Sequence, residues 1–404
     1  MRFLLLFLML FSLHARSDVY RTAYFAEFPF WESPIQPYKF ATPLTKDDAL
    51  KRIHIEVGYD KQNRVVDIQT RQGTKFKTLG HFFDAMYVHA VHTQIRYQDQ
   101  REIHEFYNQS GNQVTGWGQV WQKIYHKDHR GRYLKMEFLD RTGKPVENSW
   151  GVAYYRWQHQ FDGSVIEERF SQTGELKVHR PGFEFQRIRL VYDSEGHLRL
   201  MQNLDAALKL LASKSGASQY AYFYNAEGLF SHWEIYDDKG LPAIGPSNTA
   251  GEIQENLPGG AKKISFFDKA GGPAMHWSGS AQMEIKNDVY GNIIEFSLYD
   301  SEKKPINGNS KYAKIVYVWD KQGLSLTSQS FVDQAGAPTL HPDGYSQIRY
   351  FYDAGGFLTE LHFLDLAGQP VMSQNDKAAV IRFDYDQKGQ RTGINKFGTD
   401  GKKL

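Results

Sequence analysis

The stretch Tyr352-Asp-Ala-Gly-Gly-Phe-Leu-Thr-Glu-Leu-His-Phe-Leu-Asp365-Leu-Ala-Gly-Gln-Pro370 decides the fold. It reads Asp-x-x-Gly, eight residues, then Asp-x-x-Gly-x-Pro. Residues 128–145 repeat that grammar, from Asp128-His-Arg-Gly131 to Asp140-Arg-Thr-Gly-Lys-Pro145. The same spacing joins Asp193 to Asp205, Asn225 to Asp237, Asp288 to Asp300 and Gly389 to Gly401. Pro145, Pro242, Pro305 and Pro370 each stand 17 residues after the first Asp or Asn of their copy. The step from Asp320 to Asp333 is one residue longer, as a β-bulge would make it.

Working outward, Asp288, Asp320, Asp353 and Asp386 lie 32, 33 and 33 residues apart. Weaker copies begin near Ile53, Thr93 and Gly151, so about ten units fill the chain. Ahead of each first turn comes an alternating strand. Ile315, Ile348 and Ile381 share one position, Tyr317, Tyr350 and Phe383 the next but one, and Trp319, Tyr352 and Tyr385 the one after. Residues two apart on a strand share a face, so these form an aromatic inner column. The residues between them (Val316, Val318, Arg349, Phe351, Arg382, Asp384) make a mixed second face. Asp bonds the backbone two residues on, and Gly accepts the left-handed conformation, so Asp-x-x-Gly reads as a turn. A proline after the second turn has no N–H to give a ladder and marks an irregular linker. A lone hairpin is marginal in water, so each must stack on its neighbours.

The expected fold is all-β: an elongated or curved antiparallel β-hairpin repeat array of period near 33, with one short helix. Residues 1–17 read as a signal peptide: Met1-Arg2, the apolar run Phe3–Leu13, then Ala15 and Ser17 as small residues for cleavage. Residues 18–50 read as an N-terminal cap over the first hairpin, with a helix start at Thr45-Lys-Asp-Asp-Ala-Leu50. Residues 51–243 and 263–404 are hairpin repeats. Asn203-Leu-Asp-Ala-Ala-Leu-Lys-Leu-Leu-Ala-Ser-Lys-Ser-Gly216 reads as the short helix near 203–216, closed by its glycine. Residues 244–262 read as a loop or a degenerate repeat.

Composition removes several functions. There are no cysteines, hence no disulfide framework, no Cys-ligated metal, no thiol nucleophile and no lipoprotein anchor. Lys+Arg 48 against Asp+Glu 46 gives +2, and without Arg2 and Arg16 the counts are 46 and 46. Nucleic-acid binding needs a basic excess or stripe, which is missing. Export without cysteine places the chain in the bacterial periplasm or outside the cell, with no membrane span after signal cleavage.

The Tyr-Asp-x-x-Gly unit, carried by Tyr352-Asp353-Gly356, Tyr385-Asp386-Gly389, Trp319-Asp320-Gly323 and Tyr192-Asp193-Gly196, resembles the YD repeats of the bacterial RHS family. It resembles more closely the longer Y-D-x-x-G…D-x-x-G-x-P modules of uncharacterised bacterial proteins. The RHS resemblance implies a spiral β shell, which in that family surrounds a toxin. Here the period is near 33 rather than near 20 and the chain is far shorter, so encapsulation is not expected.

No catalytic, cofactor-binding or metal-binding residue is assigned from sequence. His81, His89, His92, His104, His126 and His129 cluster early, but neither the 89/92 nor the 126/129 pair has a third ligand at a metal spacing. The repeated Asp residues are explained by their turns and not by calcium. Glu167-Glu168 illustrates the many carboxylate pairs that hydrolysis could use only at a defined separation across a cleft. No nucleophile elbow, H-E-x-x-H or phosphate loop occurs. Trp117, Trp121, Trp150, Trp157, Trp233, Trp277 and Trp319 read first as core and second as an exposed strip for sugar rings or a protein partner. The expectation is therefore a non-catalytic exported scaffold or binding protein that contacts an envelope or secreted protein. A cell-wall or surface glycan-binding protein is the second reading and a carboxylate-dependent hydrolase the third. No cofactor is expected.

Overall fold

The computed structural model of the chain describes residues 19–28, 32–78, 90–116, 120–257 and 260–404. The export segment, His81, His89 and Trp117 fall outside the described residues. Twenty-five strands form one antiparallel sheet that does not close on itself, and Lys46–Ala49 is the single helix among the described residues. Thr45 caps that helix, its hydroxyl accepting from the Asp48 amide at 3.1 Å. The strand Arg21–Glu27 pairs with Ile53–Tyr59 and so covers the edge of the first hairpin.

Each turn is built as its residues dictate. In the Asp353 turn, one carboxylate oxygen accepts from the amides of Gly355 and Phe357, both at 2.9 Å, and Gly356 takes a φ of +79°. The repeat proline then makes a single bridge to the end of its own hairpin, Leu364 to Pro370 and Tyr299 to Pro305. A third turn follows, such as His341–Gly344, and then a small buried residue. Ala281, Ala313, Ser346 and Ala379 hold that place. Each ties two hairpins: the Ala313 amide bonds the Val332 carbonyl while its own carbonyl accepts from Leu298. A larger side chain there would fill the inner face where the next hairpin packs.

The inner column is as the alternation predicts. Ile315 and Ile381 are buried, with Tyr317, Ile348 and Phe383 packed beside them, while Val318, Phe351 and Arg382 point outward. A second and larger core runs through Phe106, Tyr125, Trp157, Leu190, Tyr220 and Ile235.

Two expectations change. Residues 203–216 carry no helix despite their helix-forming Ala and Leu. Asn203 and Leu204 end a strand, and Asp205 makes the ordinary repeat turn by accepting from the amides of Ala207 and Lys209. Ser213–Gly216 is the third turn of that unit. The long-range register of the hairpins overrides the local propensity. Inside the stretch read as a loop or a degenerate repeat, the strand Gly251–Asn256 pairs with Lys262–Phe267. The extra residue after Asp320 lengthens its turn, the Asp320 amide reaching Ser325 where Asp353 reaches Phe357. A bulge is present there, but the neighbouring copies have one too.

Leu208 and Lys303 occupy glycine's place in their turns at φ +63° and +65°. Left-handed backbone costs an L-residue more than glycine's added chain entropy, so Leu208→Gly is expected to raise stability by about 0.5–1 kcal/mol. A shift of the urea midpoint at constant slope checks this.

The sheet also winds. The base of the first hairpin lies against hairpin tips far along the chain: the Ile53 amide bonds the Tyr290 carbonyl at 2.8 Å. Gln72 and Lys75 reach Gln322, and Lys77 donates to the carbonyls of Gly323 and Leu324 at 2.7 and 2.9 Å. One hairpin further on, Gln109 reaches Gly355 and Asn108 reaches Lys388. Later tips thus stack on earlier bases in register, as in a screw.

Candidate functional site

The repeats supply their own comparison of equivalent residues. The penultimate residue of each return strand points inward. Counting from the bridge to the linker, this place holds Phe106, Phe138, Ile235, Phe266, Leu298, Phe331 and Phe363, with Asn203 and Lys396 in two other units. Two residues earlier stand Met136, Met201, Trp233, Ile264, Phe296, Leu361 and Ile394, with Gln329 in one unit. In the strand Val165–Phe170 these two places hold Arg169 and Glu167, both fully buried. In the strand Arg101–Tyr107 the earlier place holds His104, with Glu102 beside it on the same face. At these places, buried ionisable groups occur in these two strands alone among the described residues, on one stretch of the inner wall.

That stretch faces a single segment, residues 32–40, which runs inside the winding as a strap. Glu32 accepts from His179 Nε2 at 2.8 Å and pairs with Arg180 at 3.3 Å. The Ser33 hydroxyl donates to Glu167, which also accepts from Trp157 Nε1 at 2.7 Å and pairs with Arg169. Tyr125 donates to the Pro34 carbonyl at 2.8 Å, and Ile35 joins the main core. The Tyr38 hydroxyl meets Glu102 and His104, its ring stacked on the imidazole. Lys39 closes the series on the Gly196 carbonyl. The cap thus does more than cover the first hairpin, because its strap lines the wall across several hairpins.

Electrostatics follow from burial. Burial opposes charge on Glu102, yet the His104 hydrogen bond and the Lys127 ammonium, at 2.6 Å, hold its carboxyl down at about 2. Burial pushes His104 down to about 4 and Lys123 down to about 8. Burial also raises Glu32 against the pull of Arg180 and Arg169, and drives His179 well below the usual imidazole range. His179 is then a neutral donor at neutral pH.

The residues singled out by sequence are not brought together as a reaction centre. Glu167 and Glu168 point to opposite faces, Glu168 outward between Arg156 and Arg187. His92 pairs with Asp67 at 2.6 Å and His126 with Glu137 at 2.7 Å, each across its own strand pair, while His129 sits in an exposed turn. Among the described residues no group of three metal-ligating side chains converges. Trp157 is core, and Trp150 and Trp233 pack against it. Trp319 bonds the Ile293 carbonyl at 2.8 Å beneath the Lys77 ammonium, and Arg141 lies over Trp121. Trp277, in a third turn, is the one strongly exposed tryptophan among the described residues, so they present no tryptophan strip.

The Lys77 clasp is titratable. Burial pushes its ammonium down to about 7, against the opposing pull of Asp320 and Asp288. Its ordinary value is 10.5. Between those two values the unfolded chain holds a proton that the folded chain lacks, so Lys77 makes stability rise with pH across that window. The urea midpoint should increase between pH 7 and pH 9.5, and Lys77→Met should remove most of that increase.

No family model matches the chain, and no curated protein sequence matches it. Among solved structures it is similar to a crystal structure of TcdB2-TccC3, at 11% identity and TM-score 0.27, covering 89% of this chain and 23% of that one. It is also similar to a Tc holotoxin pore from Photorhabdus luminescens, at 10% identity and TM-score 0.27, over 87% of this chain and 23% of that one. A porin-like protein from Bacteroides uniformis aligns at 9% identity and TM-score 0.24, over 75% and 91% of the two chains. The chain spans less than a quarter of the length of the first two. Likeness at these scores contributes nothing to the argument, which stands on the chain's own residues.

Proposed function

We propose that the chain is a non-catalytic, exported β-repeat binding protein of the RHS-like kind, holding a polypeptide partner in the bacterial envelope or outside the cell. One observation carries this reading: the inner wall already seats a polypeptide, residues 32–40, through buried ionisable side chains, among them Glu102, His104, Glu167 and His179. A hydrolase reading has less support. Glu167 is engaged by Ser33, Trp157 and Arg169, and Glu102 by Tyr38, His104 and Lys127. A glycan reading would want the exposed aromatic strip that the tryptophans do not form.

The test is site-specific photo-cross-linking in the native cell. One probe replaces half-buried Tyr133 beside Glu102, and a second replaces outward-facing Phe351. Capture of one stoichiometric protein from the Tyr133 position and not from Phe351 is expected. Capture of none from Tyr133, with the chain sedimenting alongside cell-wall material, would overturn the reading in favour of glycan.

A further inference from the structure

The strap is attached unlike any other part of the fold. Among the described residues, 32–40 add no strand to the sheet, whereas every hairpin is laddered to the next. Its links to the wall run through side chains, among them those of Glu102, His104 and Glu167. Pro34 and Pro37 each stand in a tight turn and preset its backbone, which lowers the entropy lost on docking. The wall also offers more than the strap uses. Arg169 is fully buried, yet its Nε and Nη1 have no hydrogen-bond partner, and neither does Nδ1 of buried His179. Buried polar groups are ordinarily satisfied, so unused ones beside a seated peptide mark recognition capacity for a better-fitting one.

We infer that residues 32–39 are an intramolecular stand-in ligand, and that the wall's true occupant is a proline-bearing, turn-forming segment of another protein. That segment presents a carboxylate to His179, Arg180 and Arg169, a hydroxyl to Glu167, and a tyrosine to Glu102 and His104, at the spacing of Glu32, Ser33 and Tyr38. This rests on the polypeptide-binding reading above and adds to it the chemistry of the partner. The strap keeps the charged wall covered until the partner displaces it. A charged wall without an occupant would leave Glu167 and Arg169 buried with fewer partners still, and this is why an internal stand-in is needed.

The probe is a fluorescein-labelled peptide of residues 32–39, Glu-Ser-Pro-Ile-Gln-Pro-Tyr-Lys, titrated by anisotropy against full-length chains. One variant empties the strap with Glu32→Gly, Ser33→Gly, Ile35→Gly and Tyr38→Gly, and a milder one carries Tyr38→Ala alone. Saturable binding to the emptied chain at least about tenfold tighter than to wild type is expected, with Tyr38→Ala between them. A peptide with Glu32→Gln should bind the emptied chain about tenfold more weakly. No saturable binding to either folded variant would overturn the inference. So would failure of both variants to fold, because a segment the fold cannot spare is no ligand. If the peptide fails while the Tyr133 probe still captures a partner in cells, the inference falls and the binding reading stands. If both fail, both fall.

Discussion

Glu167→Ala should destabilise the protein by about 3–5 kcal/mol, among the largest losses any single substitution will give, because it strands the Arg169 guanidinium in the core. The pair sits fully buried on adjacent inward positions of one strand. Replacing both members, Glu167→Met with Arg169→Phe, installs what the unit at Met136 and Phe138 already carries at the same two places. That double variant should recover to within about 2 kcal/mol of wild type, the shortfall coming from the Trp157 indole and Ser33 hydroxyl, which lose their acceptor. Urea melts of the four corners of this cycle measure the coupling. A double variant as unstable as the single one would show that the pair is needed for the fold and not for recognition. The peptide assay on the double variant gives the second half of the contrast: stability returns while affinity for the 32–39 peptide does not.

Phe331→Ala is expected to cost about 3–5 kcal/mol, the range for emptying a buried aromatic site. Phe331 is 2% exposed, and its ring lies 5.0 Å from those of both Tyr312 and His341 and 5.9 Å from Tyr345. In a repeat array each unit leans on its neighbours, so the damage should stay local. Amide exchange should speed up first in the hairpins from Gln282 to Phe397, with the core around Tyr125 and Trp157 opening later. A loss under about 1 kcal/mol, or uniform opening of the whole sheet, would contradict the division of the core into separate aromatic clusters.

Much of the architecture is legible in the residues because it is local. The column Ile315, Tyr317, Trp319 follows from alternation alone, and Asp353 with Gly356 follows from what a tight turn demands. The small residues at 281, 313, 346 and 379 and the third turn ahead of them were equally legible, since they keep the same period. Residues 203–216 mislead because Ala-Ala-Leu-Lys-Leu-Leu is good helix sequence, and its return to β structure depends on pairing with strands elsewhere. The winding is legible only through the resemblance, which implies a spiral β shell, and from no residue pattern. It accumulates from the small twist between neighbouring strands, and no residue pair announces that Gln72 will meet Gln322. The wall lies between these cases. Aligning the repeats on their linker bridges exposes Glu167, Arg169 and His104 as departures together with Asn203, Gln329 and Lys396, and only the folded chain shows which of them face the strap.

The screw-like stacking of later hairpin tips on earlier bases gives the molecule the mechanics of a coil spring. Along the sheet, strand is laced to strand by an unbroken ladder. Between turns of the coil, the ties among the described residues are separate bonds such as those from the Ile53 amide and from Gln72, Lys75, Lys77, Asn108 and Gln109, mostly to carbonyls at hairpin tips. Each such bond contributes only about 0.5–1.5 kcal/mol. Tension along the coil axis should therefore extend the protein at low force by shedding these ties in sequence, leaving every hairpin intact, and the extension should be elastic. A coil that parts at its seam would open its interior from the side rather than from either end.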